Sequence, residues 1–389
     1  MPLPDPHPIV ERAREVAPLI HAASDEIEET RRVPEALDAK LEAAGLYQLY
    51  LPEAYGGPQA DPRSAASAIE EISMADGSTG WVCMIGSVLS RRFAWMDPDA
   101  VHAMKDMTGS LRAAGSNRAL GRAQREGDGY RVNGRWNFQS GIEHSSWMFG
   151  TCVLMDGEEP LRDENGTPRT RAVAVPVRDG EIIDTWHVVG LKGTGSFDFE
   201  VDDLYVPAER TVSRLEPPMI ESPLYRARFF GIWSHTVHAG CTLGIARGAI
   251  DELRDIASGR GSTGSRTLLR DRERVQRMVG EAEAIVRSAR AYLFEAVAEA
   301  WAASEARSPD PTREIANVRL AIAHAGHESA RAVDLVFSAA GTNAAHTANR
   351  LERYFRDVHV AVQHAAAAPA NYDGAGRVFL GLPSGLPGW

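Results

Sequence analysis

The sequence predicts an α+β protein in three parts: helices, then a β region, then a bundle of long helices. Three observations carry this. Apolar residues recur at helical spacing through residues 1–110. Residues 111–212 instead hold short alternating segments broken by Gly, Asn, Asp and Pro, as a compact, barrel-like β domain would. Over 213–389 long helical patterns return, with lengths suited to antiparallel packing in a four-helix bundle.

Taken in order, residues 9–31 place Ile9, Val10, Ala13, Val16, Ile20 and Ile27 on one stripe of a first helix. Pro34 suits the first turn of a second helix, and Gly45 its end. Pro52 and Gly56–Gly57 mark a loop. Helical patterns resume over 62–75 and 78–96, the latter with Ser78 or Thr79 as its cap. Asp97–Pro98 opens a short helix that ends near Met107. GYRVNGRWNFQSG, WMFGTCVLM, TRAVAVPV and DTWHVVGLKGTGSFDFEVDDLYVP read as strands. The later helices are expected over 235–259, 270–306, 312–340 and 350–380. The tail GLPSGLPGW, ending in Trp389, reads as a docked, turn-rich segment.

Composition narrows the function. With 44% apolar and 24% charged residues the chain is globular. Its formal charge of −11 argues against a nucleic-acid partner and against docking on an anionic membrane. No run of uncharged apolar residues is long enough to span a bilayer. The acidic start lacks the apolar core of a secretory signal. Three scattered cysteines, Cys83, Cys152 and Cys241, read as reduced thiols in a cytoplasm.

Several chemistries lack their motif. GxxxxGK[ST] and GxSxG are missing, Gly193-Thr194-Gly195 continues to Asp198 rather than glycine, and the GxGxxG spacing of Gly259–Gly264 falls in the polar loop after a helix instead of after a strand, so no NADH fingerprint, phosphate loop or hydrolase elbow is present. No histidine has Glu three residues before it, as a di-iron bundle requires. His324 and His327 share a helix face without a convenient carboxylate, so a polar face or subunit contact is the better reading and no metal is expected. The chemistry is placed instead on the final helix, where Asp357 and His364 lie seven residues apart, on nearly one face. Four alanines after His364 leave room for a bulky guest.

Five stretches then agree, in order, with one family. LEAAGLYQLYLPEAYGG, GYRVNGRWNFQSG, VVGLKGTGSFDFEVDDLYVP, VFSAAGTNAAH and RYFRDVHVAVQH together resemble the acyl-CoA dehydrogenase fold. One departure matters. Those dehydrogenases commonly carry a catalytic glutamate eight residues after the Arg-Asp pair; here Ala365 stands there. The alternative location near Ala249 is also unfilled, although Asp251 and Glu252 are close. Without that base an α-proton is not removed from a thioester. The chain resembles instead the flavin-dependent monooxygenases of this fold, the oxygenase components of two-component phenol, secosteroid, dibenzothiophene and indole hydroxylases. His364 after Arg356–Asp357 carries this resemblance, as do Trp136, Phe138, Ser140 and Gly141 before His144–Ser145, and the segment Asp76–Val82.

The resemblance implies a small aromatic substrate, molecular oxygen as co-substrate, and reduced FAD or FMN from a separate NAD(P)H-flavin reductase. It implies a homotetramer and oxygen transfer through a C4a-hydroperoxyflavin. Ser140 would hold the flavin N5 proton and Phe138 would pack on the ring system, with Gly141 beside them. On the residues alone, a turn residue capping strand ends beside Gly141 is the favoured reading of Ser140. His364 would give or take a proton near substrate or peroxide. Asp357 is expected to pair with Arg356 or Arg353. Gly341 and Thr342 would let backbone approach the cofactor, and Arg266 would neutralise phosphate or remain a solvated loop residue. Trp81, Phe230, Trp233 and His235 are the substrate candidates, with core packing as their alternative. Related hydroxylases often carry a further histidine after Gly-Trp-Val, but CMIGSVLSRR has none. Amine N-oxygenation, a dehydrogenase with a displaced base, and a non-enzymatic helical interaction protein are the competing readings.

Overall fold

The computed structural model describes residues 7–213, 215–261 and 267–386. Five helices come first: α1 (Pro8–Thr30), α2 (Glu35–Ala43), α3 (Pro62–Ala75), α4 (Gly77–Ser90) and α5 (Pro98–Thr108). Proline opens α1, α3 and α5 because its missing N–H costs nothing in a first turn. The cap of α4 differs from expectation. Asp76, not Ser78 or Thr79, holds the end, accepting from Thr79 N at 2.7 Å and Thr79 Oγ1 at 2.8 Å.

Eight strands follow among the described residues: β1 (Ala113–Glu126), β2 (Gly129–Gln139), β3 (Trp147–Asp156), β4 (Glu159–Pro160), β5 (Thr170–Pro176), β6 (Glu181–Ile183), β7 (Phe197–Pro207) and β8 (Thr211–Val212). They form one sheet in the order β6-β7-β2-β1-β3-β5-β8, with β4 on β3. Its core is built on Trp136, Met148, Phe197 and Phe199. Two points depart from the sequence reading. The longest strand, β1, was not among the expected segments, since its polar residues blur the alternation. The first half of DTWHVVGLKGTGSFDFEVDDLYVP is no strand: 184–196 is a loop with a short turn at Lys192–Thr194, and pairing with β2 begins at Phe197. The reason is close approach. A Cβ at Gly190 would lie 2.5 Å from the Arg356 carbonyl oxygen, so the loop is pressed onto a helix rather than laid in the sheet.

The C-terminal part holds α6 (Phe230–Gly259), α7 (Glu273–Glu305), α8 (Thr312–Ala340), α9 (Arg350–Ala361) and α10 (Ala370–Phe379). Helix α6 joins the two helical regions into one core by packing on α3. Glycines at every fourth position allow it. A Cβ at Gly240, Gly244 or Gly248 would meet the carbonyl oxygen of Ala66, Glu70 or Met74 at 2.5, 2.3 and 2.5 Å. Small residues on one helical stripe bring the two backbones together.

The expected single helix over 350–380 is broken. Helix α9 stops at Ala361, and the next begins at Ala370. Ala368, which precedes Pro369, is extended at φ −58 and ψ 136, as a residue before proline prefers. His364 is also extended and caps a short turn, its Nδ1 accepting from Ala366 N at 3.1 Å. Asp357 and His364 therefore do not share a helix face. Trp389 lies outside the described residues; the chain before it folds back so that Arg377 Nε donates to the Pro383 carbonyl at 2.8 Å.

Candidate active site

Three pieces of chain gather around His364. From α4 comes Trp81, its ring edge-on to His364 at 5.8 Å. From α6 come His235 and His238, three residues apart on one face. His235 meets His364 edge-on at 5.7 Å, and His238 stacks on it at 4.9 Å. From the end of β2 comes Ser140, whose Oγ accepts the Trp81 indole N–H at 3.2 Å. His238 is the member that sequence reasoning missed, although its spacing from His235 was visible.

Hydrogen bonds assign the ring protons. The Ala361 carbonyl can only accept, so His238 donates to it from Nε2 at 3.0 Å. Its buried Nδ1 is then a lone pair with no partner among the described residues. His364 accepts at Nδ1 from a backbone N–H, so its remaining proton is on Nε2. Burial pushes His364 down to about 4 and His238 to about 3, and burial plus its imidazole neighbours holds His235 well below the ordinary value. The cluster is neutral at physiological pH, offering an N–H at His364 and an acceptor at His238.

The flavin candidates on β2 stand in an unusual backbone. The β2–β7 register slips between Trp136 and Gln139, and Phe138 sits at φ +61 with its ring 52% exposed. A non-glycine residue in that region signals a functional constraint. The ring makes a T-shaped contact with Trp186 at 6.0 Å. Gly141 has φ +71, and a Cβ there would meet Val82 Cγ1 at 2.5 Å, so only glycine closes this turn on α4.

Asp357 is fully buried and its expected arginine pairs are not formed. Arg353 reaches Asp25 at 2.8 Å, and Arg356 reaches Glu352 and Glu28 at 2.7 and 2.9 Å. Asp357 instead accepts from Leu191 N at 2.6 Å, and burial raises its pKa to about 8. Of the substrate candidates, the structure brings Trp81 and His235 to His364. It places Phe230 under the Arg91 guanidinium, 3.6 Å from the ring, and Trp233 in a stack with Phe229 at 5.5 Å. Both are core residues. Gly341 and Thr342 form an exposed turn after α8, packed on α8 and α9. Arg266 lies outside the described residues. His324 and His327 face the rings of Tyr292 and Tyr372.

The frame of this site is that of the acyl-CoA dehydrogenases. The models of that family's N-terminal and C-terminal domains match residues 9–93 and 236–369. Indole-3-acetate monooxygenase of Pseudomonas putida is 30% identical over 94% of this chain and 91% of its own. The flavin-dependent monooxygenase oxygenase subunit HsaA of Rhodococcus jostii (strain RHA1) is 30% identical over 96% of this chain and 98% of its own. The solved structure of XiaF from Streptomyces sp. in complex with FADH2 and glycerol superposes with a TM-score of 0.85 at 26% identity, covering 97% of this chain and 96% of that one. The chain belongs to the flavin-dependent monooxygenases built on the acyl-CoA dehydrogenase fold. It is a reduced-flavin-dependent oxidoreductase.

The residues present fit that cofactor. An exposed Phe138 ring beside the buried Ser140 oxygen offers a flat apolar surface with a hydrogen-bond partner at its edge. No carboxylate stands where a dehydrogenase would need its base. Ala365 carries none, and Asp251 pairs with Arg254 at 3.2 Å. Among the described residues no helix is long and apolar enough to cross a membrane.

Proposed function

We propose that this chain is the oxygenase component of a two-component system that hydroxylates a small aromatic or heteroaromatic molecule. The observation that carries this is the neutral His364, with its Nε2 proton available, grouped with Trp81 and the Ser140 hydroxyl. Reduced FAD or FMN, when bound, supplies dioxygen activated for transfer of one atom to the substrate. Phe138 and Ser140 would hold it, with Gly141 setting their turn. Gly341 and Thr342, exposed at the end of α8, and Arg266 would meet its nucleotide portion.

The chain's own residues do the rest. Trp81 fixes Ser140 and presents an aromatic wall to the guest. His364, already neutral, would use its Nε2–H to donate a hydrogen bond that orients a substrate or oxygen acceptor, keeping its own proton. His235 and the spare acceptor of His238 suit a substrate bearing a hydroxyl or N–H. Phe230 and Trp233, packed in the core, would act only by anchoring the helix that carries His235 and His238. Amine N-oxygenation is the second enzyme reading; the ring contacts of His364 among the described residues are with Trp81, His235 and His238, none of them an anion suited to an ammonium.

The absence of a NADH fingerprint supports a separate NAD(P)H-flavin reductase that delivers its product by diffusion. A homotetramer is proposed on the strength of the fold. The test is direct. Chemically reduced flavin, air and a panel of phenols and indoles should give hydroxylated product with no reductase added. Only hydrogen peroxide, at the rate seen without protein, would reject the oxygenase reading. Reduction of bound flavin by an acyl-CoA would favour a dehydrogenase.

A further inference from the structure

We propose that Ser196 and Thr194 are positioning residues that fix the direction of the Ser140 hydroxyl and thereby make the site prefer reduced over oxidised flavin. The inference rests on the reading above that a flavin lies against Ser140.

The argument is a proton count. The Leu191 carbonyl can only accept, and it takes the Thr194 hydroxyl at 2.8 Å, the Trp186 indole N–H at 3.1 Å and Thr194 N–H at 3.2 Å. Each hydroxyl has one proton. With the Thr194 proton spent on Leu191, the 2.7 Å contact between Thr194 and Ser196 requires Ser196 to donate. With the Ser196 proton spent in turn, the 2.7 Å contact between Ser196 and Ser140 requires Ser140 to donate. All three hydroxyls are buried, with Ser140 at 5%, Ser196 at 3% and Thr194 at 1% exposure, so solvent does not compete for them. The far end is anchored too: Leu191 holds φ 52, and its N–H is taken by Asp357.

Ser140 therefore points its only proton inward. Its oxygen receives the Trp81 indole N–H, and what remains is a lone pair. Reduced flavin carries an N–H at N5, whereas oxidised flavin carries only a lone pair there. A fixed acceptor bonds the first and opposes the second. An isolated serine would rotate and serve both, so the selectivity belongs to the ladder behind it.

The test is an anaerobic titration of the folded protein with reduced and with oxidised FAD and FMN. The readout is the ratio of the two affinities, which is also a shift in the potential of the bound cofactor. The wild type should favour the reduced form. Ser196→Ala and Thr194→Val should each lower the ratio about three- to tenfold, largely by tightening the oxidised form. Thr194→Ser, which keeps the hydroxyl, should restore it. Should Ser196→Ala not fold, the Thr194→Val and Thr194→Ser pair decides by the same ratio. A wild-type ratio in the folded Ala and Val variants overturns the ladder alone. A wild type that binds neither form overturns the flavin assignment with it.

Discussion

Burial holds His364 and His238 near 4 and 3, against 6.5 for an ordinary imidazole. In mild acid each binds a proton more readily unfolded than folded. Their contribution to stability is thus complete above pH 6.5 and is lost as pH falls toward 4. Asp357 has the opposite sign. Its folded pKa is raised to about 8, so its contribution is complete in acid and is lost as pH rises through that value. Denaturant midpoints should therefore be highest near pH 6.5, rising to it as the histidines lose their protons and falling from it to about pH 8, and Asp357→Asn should flatten that alkaline decline while steepening the acid rise. A wild-type alkaline decline in that variant would remove the assignment. For catalysis, His364→Ala should cut hydroxylated product about 10²–10³-fold while hydrogen peroxide from reduced flavin and air rises. Unchanged product yield would exclude His364 from the reaction. At this scale the sequence was only partly readable. His364 and Ser140 stood out, and His235 and His238 sat three apart, but nothing local tied them to a histidine more than a hundred residues on. Ser196 was hidden for a similar reason. It meets Ser140 only because Gln139 registers against Phe197.

Among the elements, α6 has the least room to change. Its Gly244 lies where a methyl group would come within 2.3 Å of the Glu70 carbonyl oxygen. Alanine gains about 1 kcal/mol of helix propensity over glycine. The clash with backbone costs about 1–3 kcal/mol or more, and it wins. Gly244→Ala should lower thermal stability and, by shifting α6, also weaken flavin binding. A higher melting temperature would contradict the close α3–α6 packing. The bulge at Phe138 should behave in the reverse way. Phe138→Gly relieves a left-handed backbone, worth about 1 kcal/mol, and exposes no core. Stability should hold or rise while flavin affinity falls, as titration would show. Helix positions were legible from periodicity; the break after Ala361 was not, because alanines favour helix and only Pro369 argued otherwise. Loop 184–196 read as strand because its apolar residues alternate, yet their partner is a helix.

At the scale of the molecule, the order of helices, sheet and bundle was legible, since each part has its own period. The convergence was not. The site draws on α4, α6, the end of β2 and the joint before α10, and only the shared α3–α6 core and the α9–loop contact bring these together. A separate reductase makes a further prediction. Unrelated flavin reductases, matched for reduced-flavin output, should support equal product formation. Strong dependence on one reductase would require a docked complex instead. By light scattering, a homotetramer of this 42.3 kDa chain would appear at roughly four times that mass.

Trp81 bonds to Ser140 and lies edge-on to both His238 and His364. An indole so placed is also a luminescent gauge. Its emission should be quenched as an isoalloxazine arrives, and the part of the fluorescence lost in Trp81→Phe would report loading without any substrate in hand.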